Sequence, residues 1–423
     1  MTASTSSNAR DILRKNDKGG FTVPTSGLYP YQWNWDSVFV AMGFATFDES
    51  RACREIETVF DAQWNNGFVP HIIFRRDDPD YFPGPSVWQA GGELPTSGIT
   101  QPPVAGSVIN FLWDRTSSEE IRDRLRVLYE KTLRWHDWFH ANRVHDGVNA
   151  VVITHPWESG RDNSPEWDRP ALGVDVSNVK PYQRRDLQHA DAGMRPTKHD
   201  YDRYIALVEY GRGTGWNHAL IGSQGPFRVA DVSMTFVLLR SSRDLLALSA
   251  KLGRSEDEAW LNDHIRTLER GAEYHWNEEV GAYCSRDVIT GESSGFLTNG
   301  SFLYAYAGVG DDRQHASMAA HWERMAAKVR YMIPSHDPDD DHFDHIRYWR
   351  GPVWIMMNYM AAKGFKERGE PDWAMRLKSD SRELIEQYGF HEAFSPQTGE
   401  GTGGTDFSWT AALWLAWCGE EVG

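Results

Sequence analysis

The feature that most restricts the fold of this sequence is an alternation of short and long connections between helix-forming segments. Apolar residues at helical spacing recur along most of the chain, whereas runs suited to β-strands are few and short. Helices joined in this way pair with their neighbours and leave the long loops together at one rim. About twelve segments are predicted to be helical, near residues 37–47, 49–64, 104–114, 117–139, 201–210, 229–252, 255–276, 299–306, 313–327, 352–367, 371–388 and 406–418.

This pattern predicts an all-α fold. We expect an (α/α)6 toroid, or barrel, with long loops over one rim forming the candidate active site. The 423 residues exceed the usual size of a single core, yet no linker of distinct composition divides them. A closed ring of helices allows so long a chain to remain one domain. Residues 1–423 are therefore interpreted as a single domain.

Local signals predict where some helices begin and which residues they bury. Two pairs match the capping box, Ser117 with Glu120 and Ser255 with Glu258. Each pair is expected to start a long helix. Trp135 keeps the helical spacing of its apolar neighbours and is interpreted as a core residue.

Charge and cysteine content narrow the class of partner. The chain carries 44 Lys and Arg against 60 Asp and Glu, a net charge of −16, which argues against nucleic acid and anionic membranes. A small anionic ligand would therefore need a local arginine. The three cysteines have no disulfide or zinc spacing, and neither a secretory signal nor an apolar run of ~20 residues is present. We predict a cytoplasmic protein with no cofactor, and a homo-oligomer (dimer or tetramer) is compatible with the sequence.

The strongest candidate for a functional segment is the stretch 155–168. It places four carboxylates, an arginine and two indoles in fourteen residues without helical or strand periodicity, which is typical of a loop that faces a ligand. Indoles beside carboxylates suit a sugar, because sugar rings stack on Trp and a protonated carboxyl can expel a glycosidic oxygen. The 19 Trp of the chain indicate a wall of such platforms. A surface turn whose indoles fill gaps between helices is the structural alternative.

Three further segments carry candidate functional residues. Glu392 is predicted to lie on a loop that leads into the last helix, and it could complete an acid/base pair with a carboxyl of the stretch 155–168. Glu400, in the same loop, is the competing candidate for this role. The segment 347–354, rich in arginine and aromatic residues, is interpreted as a rim that faces the site. Residues 79–103, rich in Pro and Gly, are predicted to form a lid or binding loop.

The Asp-rich segment 336–345 also draws attention. It contains short patterns found in magnesium-dependent terpene cyclases, but the companion motif fails at its nearest candidate, Asn262. Pro338 and flexible flanks fix no spacing of metal ligands. We interpret the segment as a solvated or lid-closing loop and expect no metal.

Four blocks together resemble glycoside hydrolase family 63. They are Tyr-Gln-Trp-Asn-Trp-Asp at 31–36, Trp-Glu-Ser-Gly-Arg-Asp at 157–162, Arg-Tyr-Trp-Arg-Gly-Pro-Val-Trp at 347–354, and Glu-Ala-Phe-Ser-Pro-Gln-Thr-Gly at 392–399 with Phe-Ser-Trp-Thr at 407–410. They follow one another in the order typical of the family. Within the family, the length and the segment 195–204 look most like bacterial mannosylglycerate and glucosylglycerate hydrolases.

The resemblance implies an inverting α-glycosidase, with Asp162 similar to the family's general acid and Glu392 to its general base. Asp162 would protonate the glyceryl oxygen while Glu392 activates a water on the opposite face of the sugar, which requires carboxyls ~6.5–9.5 Å apart. Indole-rich surroundings are expected to raise the pKa of Asp162, and Arg161 would oppose this if its side chain turned inward.

The resemblance also implies a set of substrate-binding residues. Arg195, with Tyr81, Gln101 and Tyr201, resembles a clamp for the glycerate carboxylate, although a surface salt bridge is the alternative for Arg195. The residues expected around the sugar ring are Tyr29, Trp33, Trp35, Asp36, Trp157, Gly160, Tyr348, Trp349 and Trp354.

The implied reaction is hydrolysis of mannosylglycerate or glucosylglycerate, small anionic sugar derivatives, to free sugar and glycerate. An α-glucosidase or trehalase-like hydrolase acting on a neutral α-glucoside is the alternative. A ring that binds sugar without catalysis is disfavoured by the presence of both Asp162 and Glu392. A terpene cyclase would require magnesium. The choice between mannose and glucose, which differ at the 2-hydroxyl, stays open.

Overall fold

The computed structural model describes residues 2–145, 147–184 and 192–419. The α-helices in chain order are α1 (Thr2–Asn16), α2 (Asn34–Phe44), α3 (Glu49–Phe60), α4 (Pro85–Trp88), α5 (Ala105–Arg115), α6 (Glu119–Asn142), α7 (Asp168–Ala171), α8 (Lys198–Gly213), α9 (His218–Gln224), α10 (Val232–Leu252), α11 (Ser255–His275), α12 (Tyr304–Ala307), α13 (Asp312–Ala326), α14 (Ile355–Arg368), α15 (Pro371–Tyr388) and α16 (Ser408–Leu413). The strands are β1 (Gln32–Trp33), β2 (Ile72–Ile73), β3 (Val152–Ile153), β4 (Val229–Ala230), β5 (Trp276–Asn277), β6 (Ala282–Tyr283), β7 (Arg286–Asp287), β8 (His391–Phe394) and β9 (Gly401–Thr405).

Six helices of the described chain, α2, α5, α10, α12, α14 and α16, form a closed inner ring. Each packs against the next, and α16 packs against α2. Every residue of α2 is buried, as expected for a helix enclosed on all sides. The outer ring comprises α1, α3, α6, α11, α13 and α15, which cover the inner helices. The predicted (α/α)6 toroid is therefore confirmed.

One predicted ring helix lies outside the two rings, and a helix that was not predicted takes its place. The predicted helix 201–210 belongs to α8, which packs against α4 above the ring. The twelfth ring helix is α1, within a stretch that appears merely polar in the sequence. It buries Ala9, Ile12 and Leu13, a narrow apolar stripe at helical spacing on an otherwise polar helix. So narrow a stripe is easily missed.

Several helix starts also differ from the prediction. α6 is capped by Ser118, whose side chain accepts from the backbone N–H of Ile121, so Ser117 is not the cap. Ser255 is itself the first residue of α11 and does not cap it. Trp135 is fully buried, as predicted. After α11 the chain forms a short hairpin, in which Trp276 pairs with Tyr283.

A second layer of buried aromatic residues covers the rim of the ring. In this layer Trp88 contacts Trp157 and Trp216, and α4 packs against α8. Short antiparallel strand pairs, among them β1 with β2 and β8 with β9, hold the rim loops in place. Among the described residues, no helix is long and apolar enough to cross a bilayer.

Candidate active site

One cavity opens at the end of the ring where the inner helices begin. Together with the open space at its mouth, it encloses about 900 Å³. All fifteen site residues proposed from the sequence line it: Tyr29, Trp33, Trp35, Asp36, Tyr81, Gln101, Trp157, Gly160, Asp162, Arg195, Tyr201, Tyr348, Trp349, Trp354 and Glu392.

The loop 155–168 is held by buried ion pairs beneath the cavity. Glu158 pairs with Arg143 at 2.7 Å, and Arg161 turns away from the cavity to pair with Glu166 and with Asp231. Arg161 therefore does not act on Asp162 in the way the sequence suggested. The other carboxylates of the loop are structural, and Asp162 is the one that faces the cavity.

Gly160 positions Asp162 by ending the short 3₁₀ turn before it. Its φ of +67° lies in the left-handed region, and a Cβ there would come within 2.6 Å of the Trp35 ring. Only glycine meets both conditions without strain. The turn thus brings the loop backbone directly against an indole of the cavity wall.

Asp162 is half-buried, and its surroundings favour the protonated form. Removal from water raises the pKa of its carboxyl to about 7, an effect opposed by the Arg195 charge and reinforced by Glu392. A hydrogen bond from Tyr348 also lowers the pKa. A carboxyl with such a pKa can hold a proton near neutral pH and release it during a reaction.

Glu392 lies on β8 and not on the predicted loop. A β-bulge between His391 and Ala393 sets Glu392 opposite two residues of β9, so its side chain is turned into the cavity. Its Oε2 accepts from the backbone N–H of Gly404 at 2.9 Å. Glu400, the competing acid, is exposed and does not line the cavity.

Gly403 makes room for the Glu392 carboxylate. Its φ is +73°, and a Cβ at this position would collide with Glu392 Oε2. The Gly-rich run at 401–404 is thus explained by close approach of the carboxylate and by the bulge.

Arg195 is buried in the cavity, where it lies 3.7 Å from Glu392 and its charge also acts on Asp162. Its Nη2 donates to the Tyr29 hydroxyl at 2.9 Å, and that hydroxyl donates to Glu392 Oε1 at 2.9 Å. Its guanidinium lies 4.3 Å from the centre of the Tyr348 ring. Burial raises the pKa of both tyrosines, so their hydroxyls remain donors. A surface salt bridge, the alternative for Arg195, is thereby excluded.

Asp36 is the third carboxyl of the cavity. It lies in the first turn of α2 and is buried. Burial raises its pKa well above the usual range, and the neighbouring Glu392 and Asp162 add to the effect. In its neutral form this carboxyl can donate as well as accept a hydrogen bond.

The indoles of the cavity form a continuous wall. Trp349 and Trp354 stack face to face with centroids 3.8 Å apart, and Trp35 lies 6.4 Å from Trp349. On the other side, Trp157 stacks on His71 at 6.1 Å. These surfaces can take the apolar face of a sugar ring.

The remaining predicted residues lie toward the rim. Gln101 Oε1 accepts a hydrogen bond from the backbone N–H of Trp35 at 3.2 Å. The side-chain NH2 of Gln101 can then donate to a ligand. The ring of Tyr81 packs edge-on against Trp33. The Tyr201 hydroxyl donates to the Phe82 carbonyl at 3.4 Å. Gln101 and Tyr81 come from the long Pro- and Gly-rich segment, and Tyr201 comes from α8.

Sequence reasoning missed several wall residues. Trp409 and Phe407 belong to the fourth block of the resemblance and could have been included on that signal. His71 has no sequence signal, because it reaches the cavity only through the pairing of β2 with β1. The wall residues not predicted are Pro24, Leu28, His71, Ile72, Phe82, Pro83, Pro196, Phe407 and Trp409.

The Asp-rich segment lies away from this cavity. In the described parts of the chain, His336, Asp340 and His342 form the one group whose geometry could hold a metal ion. Both imidazoles already hydrogen-bond Asp340 Oδ1, at 2.9 and 2.7 Å. Asp337 and Asp339 pair with Arg324. The expectation of no metal stays a prediction.

A closed (α/α)6 ring whose mouth holds a pair of carboxyls among stacked indoles is the arrangement of a glycoside hydrolase. The particular family follows from the sequence. Residues 29–410 match the family model described as the mannosylglycerate hydrolase MGH1-like glycoside hydrolase domain, and the chain belongs to this family. The resemblance to glycoside hydrolase family 63 is thereby confirmed.

Known relatives cover almost the whole chain. The mannosylglycerate hydrolase of Thermus thermophilus is 44% identical over 413 residues, which are 97% of this chain and 99% of the relative. The glucosylglycerate hydrolase of Mycolicibacterium hassiacum is 31% identical, with 96% of each chain covered. The crystal structure of a GH63 mannosylglycerate hydrolase from Thermus thermophilus with Tris and D-glycerate superposes with a TM-score of 0.94, at 43% identity over 98% of this chain and 99% of the other.

Proposed function

We propose that this enzyme hydrolyses α-linked glycosylglycerates, mannosylglycerate or glucosylglycerate, to free sugar and glycerate with inversion at the anomeric carbon. The observation that carries the proposal is Arg195, a buried cation in a cavity that also holds three carboxyls and an indole wall. A buried guanidinium beside a sugar site suits a substrate with a carboxylate in its leaving group. The names of the similar proteins agree with this substrate class.

In the proposed mechanism Asp162 is the general acid. Its pKa of about 7 keeps a proton on the carboxyl in the resting enzyme. As the bond between the anomeric carbon and the glyceryl oxygen breaks, that oxygen takes the proton and glycerate leaves. Asp162 is then a carboxylate and is reprotonated from solvent.

Glu392 is the proposed general base. It would accept a proton from a water whose oxygen attacks the anomeric carbon from the face opposite the leaving group. The hydroxyl of Tyr29 and the N–H of Gly404 fix its two oxygens, which supports a directed carboxylate. The proton taken from the water returns to solvent, so the pair regains its initial state.

Binding of the sugar is assigned to the indole wall and to Asp36, which can hydrogen-bond hydroxyls as donor or acceptor. The glycerate is assigned to Arg195, Tyr81, Gln101 and Tyr201. A dimer or tetramer and a cytoplasmic location stay predictions.

The deciding experiment is proton NMR of the purified enzyme with mannosylglycerate and, separately, with glucosylglycerate. The β anomer of the released sugar should appear first, and the relative rates identify the preferred sugar. Appearance of the α anomer first would exclude inversion. If neither substrate is cleaved, the glycerate assignment falls and neutral α-glucosides such as trehalose become the substrates to test.

A further inference from the structure

The position of Arg195 couples it to Glu392. The Tyr29 hydroxyl links the two, accepting from Arg195 and donating to Glu392, each at 2.9 Å. In addition, Arg195 Nη1 lies 3.7 Å from Glu392 Oε1. The carboxylate proposed as the base is thus paired with a guanidinium.

Arg195 also acts on the other carboxyl. Its guanidinium lies over the Tyr348 ring, and both Tyr348 and Arg195 lower the pKa of Asp162. Burial raises the pKa of Asp162, and the charge of Arg195 opposes that effect. Asp162 therefore loses its proton more readily while the charge of the guanidinium acts on it.

No other cation competes for this role in the part of the chain that the structure describes. Arg195 is the only Lys or Arg lining the cavity there. Arg161, adjacent in sequence to Asp162, is directed to Glu166 and Asp231. The titratable and charged groups that act on Asp162 from the surrounding elements are Arg195, Glu392, Tyr348, Asp36 and Tyr204.

We propose that the carboxylate of the leaving group switches the catalytic pair on, by taking Arg195 as its own partner and withdrawing that charge from both Asp162 and Glu392. The inference rests on the proposed glycosylglycerate activity. A guanidinium in a bidentate pair with a carboxylate forms a unit whose net charge is close to zero. Asp162 then keeps its proton to higher pH, and Glu392 is released to accept a proton from water.

The consequence is a selectivity that acts on turnover. A clamp that only holds the substrate lowers KM and leaves kcat unchanged, because it stabilises ground state and transition state equally. The switch makes kcat itself depend on the acidic leaving group. Neutral glycosides that fit the cavity would bind but turn over slowly. Tyr29 and Tyr348 are the positioning residues, since one binds the Arg195 guanidinium through its hydroxyl and the other packs its ring against it.

The test compares the preferred glycosylglycerate with its carboxamide, which has the same shape and no charge. At saturating concentration and pH 8, we expect kcat for the carboxamide to be about five- to tenfold lower, because a shift of one pH unit limits the difference to about tenfold. The fall of kcat at high pH should begin about one pH unit lower for the carboxamide. The reason is that Asp162 binds its proton about tenfold less tightly when the Arg195 charge is not neutralised by a carboxylate. Equal kcat values and equal pH profiles, with a difference in KM alone, would overturn the switch and leave the proposed function standing.

Variants separate the switch from simple misfolding. Arg195→Gln should abolish the kcat difference between the two substrates, and Tyr29→Phe, which keeps the ring but removes the linking hydroxyl, should reduce it. Arg169→Gln removes one charge from an exposed arginine outside the cavity and should leave the difference intact. An undiminished difference in Arg195→Gln would also overturn the switch. Absence of cleavage of both substrates by the wild-type enzyme would instead overturn the proposed function.

Discussion

At the scale of single residues, the two carboxyls proposed for catalysis have unlike surroundings. Asp162 lies half-buried beside indoles, and burial favours its protonated form. Glu392 is almost fully buried, and its two oxygens accept hydrogen bonds from the Gly404 N–H and the Tyr29 hydroxyl, which fix the direction of the carboxyl group. One group is therefore suited to give a proton and the other to take one.

Loss of either carboxyl should remove turnover without removing binding. We expect Asp162→Ala and Glu392→Ala each to lower kcat by about 10²–10⁴-fold or more, the range contributed by a general acid or base. Calorimetric binding of the preferred glycosylglycerate should persist in both. Glu400→Ala, in the same hairpin but exposed, serves as the matched control. Full activity in a variant at 162 or 392 would remove that residue from the mechanism.

The pH dependence of kcat/KM should report Asp162. Its folded pKa of about 7 lies above the usual value of an aspartic acid, and the protonated form is the active one. Activity should therefore fall as pH rises through about 7. An unperturbed aspartic acid would lose its proton, and the activity with it, at about pH 4. Initial rates at low substrate concentration between pH 4 and 9 measure this. A decline centred near pH 4 would contradict the assignment.

At the scale of elements, the β8–β9 hairpin shows how the chain directs Glu392. The bulge needs an extra residue on β9, and Gly403 and Gly404 supply the space and the N–H that the carboxylate requires. The run of glycines is thus part of the site although none of them can carry chemistry.

Gly403→Ala should displace the Glu392 carboxylate. The new Cβ collides with Oε2, and the residue must also adopt a positive φ, which costs roughly 1–2 kcal/mol. We expect kcat to fall at least about tenfold. Gly389→Ala is the control, because Gly389 also has a positive φ, +90°, but nothing lies within 4 Å of its Cβ position. Comparable kcat losses in both variants would mean that backbone strain, and not the carboxylate, is responsible.

The hairpin and its neighbours also show what the sequence could and could not predict. Inner helices such as α10 and α14 could be predicted because their long apolar runs indicate helices that are buried on most sides. The strand position of Glu392 was not, since a bulge depends on pairing with residues about ten positions away. The direction of Arg161 depends on Asp231, which is distant in sequence. Site residues were nevertheless identified, because the family blocks carry them in fixed order.

At the scale of the whole molecule, the ring is closed by helices from the two ends of the described chain. α1 covers α16, and Leu13 of α1 is fully buried near the point where α2 and α16 touch, beside Gly43 and Ala412. Asn16 donates to Ser408 Oγ at 3.0 Å and so fixes the same junction.

Leu13→Ala should therefore destabilise the entire barrel. Truncation of a fully buried leucine costs roughly 2–5 kcal/mol of unfolding free energy. Denaturant unfolding followed by Trp fluorescence measures this, and Asn8→Ala, an exposed position of the same helix, should change stability by less than about 0.5 kcal/mol. A loss for Leu13→Ala no larger than that of the control would show that α1 is not part of the stabilising ring.

The closure of the ring by α1 and α16 has a consequence for biosynthesis. The hydrogen bond between Asn16 and Ser408 joins positions 392 residues apart. During translation the first helix emerges long before its partner exists, and at ~5–20 residues per second it waits for roughly 20–80 seconds. Until then the apolar flanks of the growing arc are open to solvent and to other chains. The contact that closes the barrel is thus made by α1, which is synthesised long before α16. The folding yield should depend on how well the exposed apolar helix faces are protected from other chains until α16 has emerged.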